Sequence, residues 1–142
     1  VAGALNDSLK IGDMLYATTT VQHDLDITAF GHPYGYVPGI NIFENSDEML
    51  NSVAKKVANS LGLNLVGGVV ATGDQFICNE EKKEWMEGAS VAQVCAALDV
   101  GFCMLRAISD EAGGKAEVDF DTFLVEAADK SAKFVLEMVK NI

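Results

Sequence analysis

Basic residues are scarce in this chain of 142 residues: Lys and Arg number 10 against 21 Asp and Glu, for a net charge of −11 and a pI near 4.4. That balance argues against a nucleic-acid phosphate backbone or an anionic membrane surface as the main partner. The three cysteines, Cys78, Cys95 and Cys103, have no C-x-x-C spacing, which speaks against a disulfide framework or a structural zinc. Cys95 and Cys103 lie in apolar sequence and are expected to be buried free thiols in a reducing, cytoplasmic compartment. No stretch reaches the roughly 18 apolar residues of a membrane span, and Val1–Lys10 lacks the basic region of a secretory signal. P-loop, G-x-G-x-x-G, G-x-S-x-G and H-E-x-x-H motifs are absent, so nucleophilic and metal-dependent hydrolysis have no support. His23 and His32 have no partner at metal-ligand spacing, and neither metal nor cofactor is expected.

Apolar residues make up 49% of the chain and the mean hydropathy is +0.19, too apolar for a disordered polypeptide. The length suits one domain spanning residues 1–142. Asp13–Val21 is rich in β-branched residues and follows the turn signal Ile11-Gly12-Asp13, which predicts a strand. His23–Gly39, with Gly31, Pro33, Gly35, Pro38 and Gly39, predicts a long functional or interfacial loop. Ser46 is placed to cap a helix whose face is Met49, Leu50, Val53, Val57 and Leu61, with Gly62 ending it. Leu63–Thr72 predicts a strand of a parallel sheet. Glu80–Trp85 resembles a helix start, and Glu87–Leu98 predicts a helix with Val91, Val94, Cys95 and Leu98 on one face.

Gly101–Ile108 predicts a buried strand followed by a loop over Ser109–Val118. Asp119–Asn141 predicts a long helix facing inward through Phe120, Phe123, Leu124, Ala127, Phe134, Val135 and Met138. Alternating strands and helices imply an α/β class, three layers with a mixed, mostly parallel sheet.

A few residues could carry chemistry. Asp110, expected just beyond a strand, could act as a general acid or simply cap the next element of the chain. Arg106 in an apolar strand calls for a carboxylate or anion partner. Glu87 could cap a helix or accept both hydroxyls of a vicinal diol. Phe76 and Ile77 suit either a core or a stacked heterocycle.

Five stretches in order resemble the 5′-methylthioadenosine/S-adenosylhomocysteine nucleosidase family of the purine nucleoside phosphorylase superfamily. They are Val1–Gly3 with Leu9–Asp13, HDLDITAFGHPYGYVPG (His23–Gly39), ATGDQFI (Ala71–Ile77), MEGAS (Met86–Ser90) and RAISD (Arg106–Asp110). The resemblance implies hydrolysis of the N-glycosidic bond of 5′-thio-substituted adenosines, with Asp110 protonating purine N7 as an oxocarbenium-like sugar develops. It makes Arg106 a holder of the attacking water and places Ala2, Gly3 and Ser109 against the substrate. Met86 would pack beneath the sugar, Glu87 would grip the ribose hydroxyls, Phe76 would stack on adenine and backbone Ile77 would bond its edge. Phe30 and Pro38 match positions lent to a neighbouring subunit's pocket, which implies a homodimer.

Family members also carry a longer N-terminal portion with the first sheet strands and a water-activating glutamate, and a helix end plus a strand between the positions of Trp85 and Met86. Against that pattern the chain is expected to be a truncated form, weakly active or inactive alone. The near alternatives are a futalosine-type hydrolase and a phosphorylase. The alternative of another class is a non-catalytic nucleoside-binding or dimerising remnant.

Overall fold

Strand β2 (Met14–Gln22) organises the sheet. The computed structural model describes residues 2–4, 9–73, 89–111 and 120–142. Around β2 stand β1 (Ala2–Ala4), β3 (Phe43–Asn45), β4 (Leu65–Thr72) and β5 (Leu105–Glu111), with helices α1 (Glu48–Leu61), α2 (Ala89–Ala97) and α3 (Phe120–Val139). One edge of β2 pairs in parallel with β4 from Met14–Leu65 to Gln22–Thr72. Its other edge is shared: Met14–Tyr16 run antiparallel to β5, and Thr19–Val21 antiparallel to β3. Beyond the start of β2, β5 pairs in parallel with β1. The sheet is therefore mixed.

The β2–β4 register shifts between Ala17 and Thr19, so Thr18 is an extra residue on β2, and its Oγ1 donates to Gly68 O at 3.1 Å. Tyr16 lies flat across β4. A Cβ added at Gly67 would meet Tyr16 Oη at 2.5 Å, so a side chain there would require the ring to shift. Lys55 Nζ sits 5.0 Å from the centroid of the same ring, a cation–π contact.

Alternation along β2 divides the core. Met14 packs with Val53, Val57, Ala107, Phe134 and Met138 beneath α1 and α3. Leu15 and Ala17 belong to a separate cluster with Leu9, Val70, Met104 and Ile108. Buried Asn51 ties α1 to β2 by donating from Nδ2 to Ala17 O at 3.3 Å, and its Oδ1 accepts from Cys103 Sγ at 3.5 Å. Helix α2 lies against β2, β3 and β4 and completes the three layers.

Several expectations need correction. The cap of α1 is Asp47, not Ser46: its carboxylate accepts from Leu50 N at 2.9 Å, while Ser46 N donates to Thr18 O and keeps Ser46 in the strand connection. The buried face of α1 is Asn51, Val53, Ala54, Val57 and Ala58, and Met49 and Leu61 are exposed. Gly62 does end the helix, at φ 64. Val91 and Val94 of α2, and Leu98 just past its end, are exposed, and Ala92 is buried. β5 starts at Leu105 and continues through Ser109 and Asp110 to Glu111, because β1 supplies a partner there that the local sequence does not announce. Ala127, Phe134 and Met138 of α3 face inward as expected, but Leu124 and Val135 do not. Cys95 and Cys103 are free but only half-buried. Glu80–Trp85 and Cys78 lie outside the described residues.

Candidate active site

β5 gathers the candidate residues nearest to chemistry. Arg106 pairs opposite Leu15, and Asp110 pairs opposite Gly3, two stretches of sequence brought from the far ends of the chain onto neighbouring strands. Ala2 pairs with Ile108, and Ser109 stands between. Arg106 and Ile108 alternate with Ala107 and share a face, and the register shift between Ala2 and Gly3 puts an extra residue on β5 between Ile108 and Asp110. Asp110 thus sits within the end of β5 rather than beyond it, which removes the reading of a helix cap.

A tight turn fixes this strand. Gly12 N donates to Ile108 O and Ile108 N donates to Asp13 O, both at 2.9 Å. Within the turn Asp13 N donates to Lys10 O at 3.0 Å, and Lys10 N donates to Asp13 Oδ2 at 2.9 Å. Gly12 adopts φ 93, a conformation that side-chain-bearing residues rarely take.

Arg106 Nε is buried and has no hydrogen-bond partner among the described residues. A buried guanidinium donor of this kind demands an acceptor, which a water or a bound anion can provide. The sequence singled out Arg106 for that reason.

Phe30 and Pro38 lie on the loop that follows the carboxyl end of β2, whereas β5 carries Asp110 past the amino end of β2. The two groups therefore stand at opposite ends of one strand. Phe30 is 82% exposed, and Pro38 is exposed as well. The loop is nevertheless shaped: Asp26 Oδ1 accepts from Thr28 N at 3.0 Å and Thr28 Oγ1 at 2.7 Å, and His32 stacks on Tyr36 at 4.8 Å. The backbone bond from Thr28, then its hydroxyl, hold the Asp26 carboxyl below its ordinary pKa. Those contacts favour the carboxylate, so they persist above the usual Asp range and weaken as pH falls through the lowered value.

Phe76, Ile77, Met86 and Glu87 lie outside the described residues, as does the join of Trp85 to Met86. A groove of about 710 Å³ is lined by Tyr36, Glu44, Asp47, Cys95, Asp99 and Phe102 among others, and among the described residues Phe30, Pro38 and Arg106 are not part of that lining. Among the described residues no group of three or more His, Cys, Asp and Glu could hold a metal ion. No helix there is long and apolar enough to cross a membrane. Sequence reasoning missed Lys130, whose Nζ reaches Gly12 O at 2.7 Å. A single lysine in an amphipathic helix carries no local signal that would have found it.

A mixed sheet flanked by helices, with Arg106 and Asp110 on one strand beside the Gly-bearing β1, defines an α/β class of protein. Residues 1–140 match the family model described as "Phosphorylase superfamily", and the chain belongs to that superfamily. It is 54% identical to the aminodeoxyfutalosine nucleosidase of Campylobacter jejuni, covering 100% of this chain and 67% of the relative. It is 40% identical to the 5′-methylthioadenosine/S-adenosylhomocysteine nucleosidase of Geobacillus kaustophilus, covering 97% of this chain and 64% of that one. The crystal structure of the Campylobacter jejuni 5′-methylthioadenosine/S-adenosylhomocysteine nucleosidase superposes with a TM-score of 0.91 at 54% identity, covering 100% of this chain and 67% of that one. The chain thus spans about two thirds of the length of the curated relatives it matches. The first alignment runs over 153 positions against 142 residues, so at least 11 positions of the relative have no counterpart here.

Proposed function

We propose that this protein is an N-ribohydrolase that releases adenine from 5′-methylthioadenosine and S-adenosylhomocysteine. The observation that carries the reading is the register of β1 and β5, which sets Gly3 opposite Asp110. In the proposed mechanism Asp110 acts as general acid to purine N7, so that the base leaves neutral while positive charge grows on the ribose. The buried Arg106 Nε, which has no partner among the described residues, supports a role in holding the attacking water. Ala2, Gly3 and Ser109 line the sugar side. Phe76, Ile77, Met86 and Glu87 take the adenine and ribose contacts that the resemblance gives them.

The exposure of Phe30 and Pro38, at the end of β2 away from Asp110, supports their service to a neighbour's pocket and hence a homodimer. The free thiols Cys95 and Cys103 support a cytoplasmic location, and one domain over residues 1–142 is the simplest organisation. A second substrate is favoured by the 54% identity to a protein named aminodeoxyfutalosine nucleosidase, against 40% to the relative named for the 5′-thio nucleosides. We include that nucleoside in the proposed range.

Adenine release from each of the three nucleosides, with and without inorganic phosphate, tests the reading. The expected products are adenine and the free sugar, with Asp110→Asn slower by roughly a hundredfold or more. Sugar phosphate as product would make the enzyme a phosphorylase. Absence of release from all three, with adenine still bound, would instead favour a non-catalytic remnant.

A further inference from the structure

We infer that Lys130 is a positioning residue for Asp110, acting from α3 through the turn Lys10–Asp13. The inference rests on the role proposed for Asp110. Lys130 is half-buried, and its Nζ donates to Gly12 O at 2.7 Å. That carbonyl belongs to the Gly12–Asp13 peptide, whose N–H donates to Lys10 O. Both polar ends of this one peptide are therefore held, and a charged donor on the carbonyl strengthens the bond made by the N–H.

The same turn grips β5 by two bonds. Gly12 N and Asp13 O take the carbonyl and the N–H of Ile108. Ile108 is fully buried and lies two residues before Asp110 on the same strand. Ile11 at the tip of the turn is 52% exposed, so packing does little to hold the turn from outside. Lys130 is the group that reaches it from α3, across 118 residues of sequence. The helix thereby sets where the end of β5 stands. An acid that must reach one ring nitrogen is sensitive to displacements of about 1 Å.

Backbone hydrogen exchange and adenine-release kinetics on Lys130→Met, Lys130→Arg and the exposed control Lys140→Met test this. Loss of the latch speeds exchange at the Ile108 amide roughly tenfold, with the α1 amides of Val53 and Val57 unchanged. In kinetics, Lys130→Met lowers kcat roughly tenfold to a hundredfold with KM nearly constant, and Lys130→Arg restores both readouts. Unchanged exchange at Ile108 overturns the inference. So does a rise spread evenly over all helices with kcat per folded molecule intact, because that marks a general stability effect. A wild-type protein that releases no adenine overturns the nucleosidase reading and Asp110's role with it, while localised loss of protection at Ile108 still upholds the latch.

Discussion

The two faces of the sheet are unequally served by their helices. Under α1 and α3, Val57, Phe134 and Met138 are buried and α1 is closed at both ends, by Asp47 and by Gly62. Along α2 and just past its end, Val91, Val94 and Leu98 repeat at helical spacing yet are 60%, 58% and 68% exposed. Identical periodicity thus means core in one helix and surface in another. Periodicity tells which residues share a face; only the neighbours decide whether that face is covered.

Several substitutions probe this asymmetry. Phe134→Ala on the well-served face should cost about 3–5 kcal/mol, read as a lower midpoint in urea unfolding. A change below about 1 kcal/mol would mean that α3 contributes little to the core. Asp47→Ala should cost about 1 kcal/mol by leaving the Leu50 N–H without its acceptor, measured in the same way. Val94→Ser on α2 should shift stability by no more than about 0.5 kcal/mol, and a loss as large as that of Phe134→Ala would show α2 to be covered after all.

The smallest effect concerns Cys103. Burial, and then the nearby Asp47 charge, push its thiol above the ordinary value. Its alkylation at about pH 8 should lag behind that of free cysteine, and Asp47→Ala should narrow the lag. Rates equal to free cysteine would mean that the thiol is open to water.

Much of this architecture is written locally. The β-branched run of β2, the glycine after α1 and the apolar run of β4 appear where their local chemistry demands. The misses share a different cause. Ser46 is as good a cap as Asp47 by type, and what moved the cap by one residue was a bond from Ser46 N to a strand distant in sequence. β5 reached Glu111 because β1, over a hundred residues away, pairs with its end. The positions of Arg106 and Asp110 on one strand were partly legible from the apolar run that contains the arginine. Lys130 was not legible at all, since its partner is a backbone carbonyl, and any residue has one of those.

Strand β2 also works as a ruler. Its nine residues at roughly 3.3 Å each put about 30 Å of strand between the end near Asp110 and the start of the loop that carries Phe30. Thr18, the extra residue on that ruler, has no place of its own in the ladder with β4 and adds local twist rather than a change of register. Deleting it would leave Ala17–Gly68 and Thr19–Val69 as consecutive pairs and keep each side chain from Thr19 to Gln22 on its present face. The separation between the Asp110 end and the aromatic loop is thus set by how far β2 and β4 pair, not by the count of residues on β2 alone.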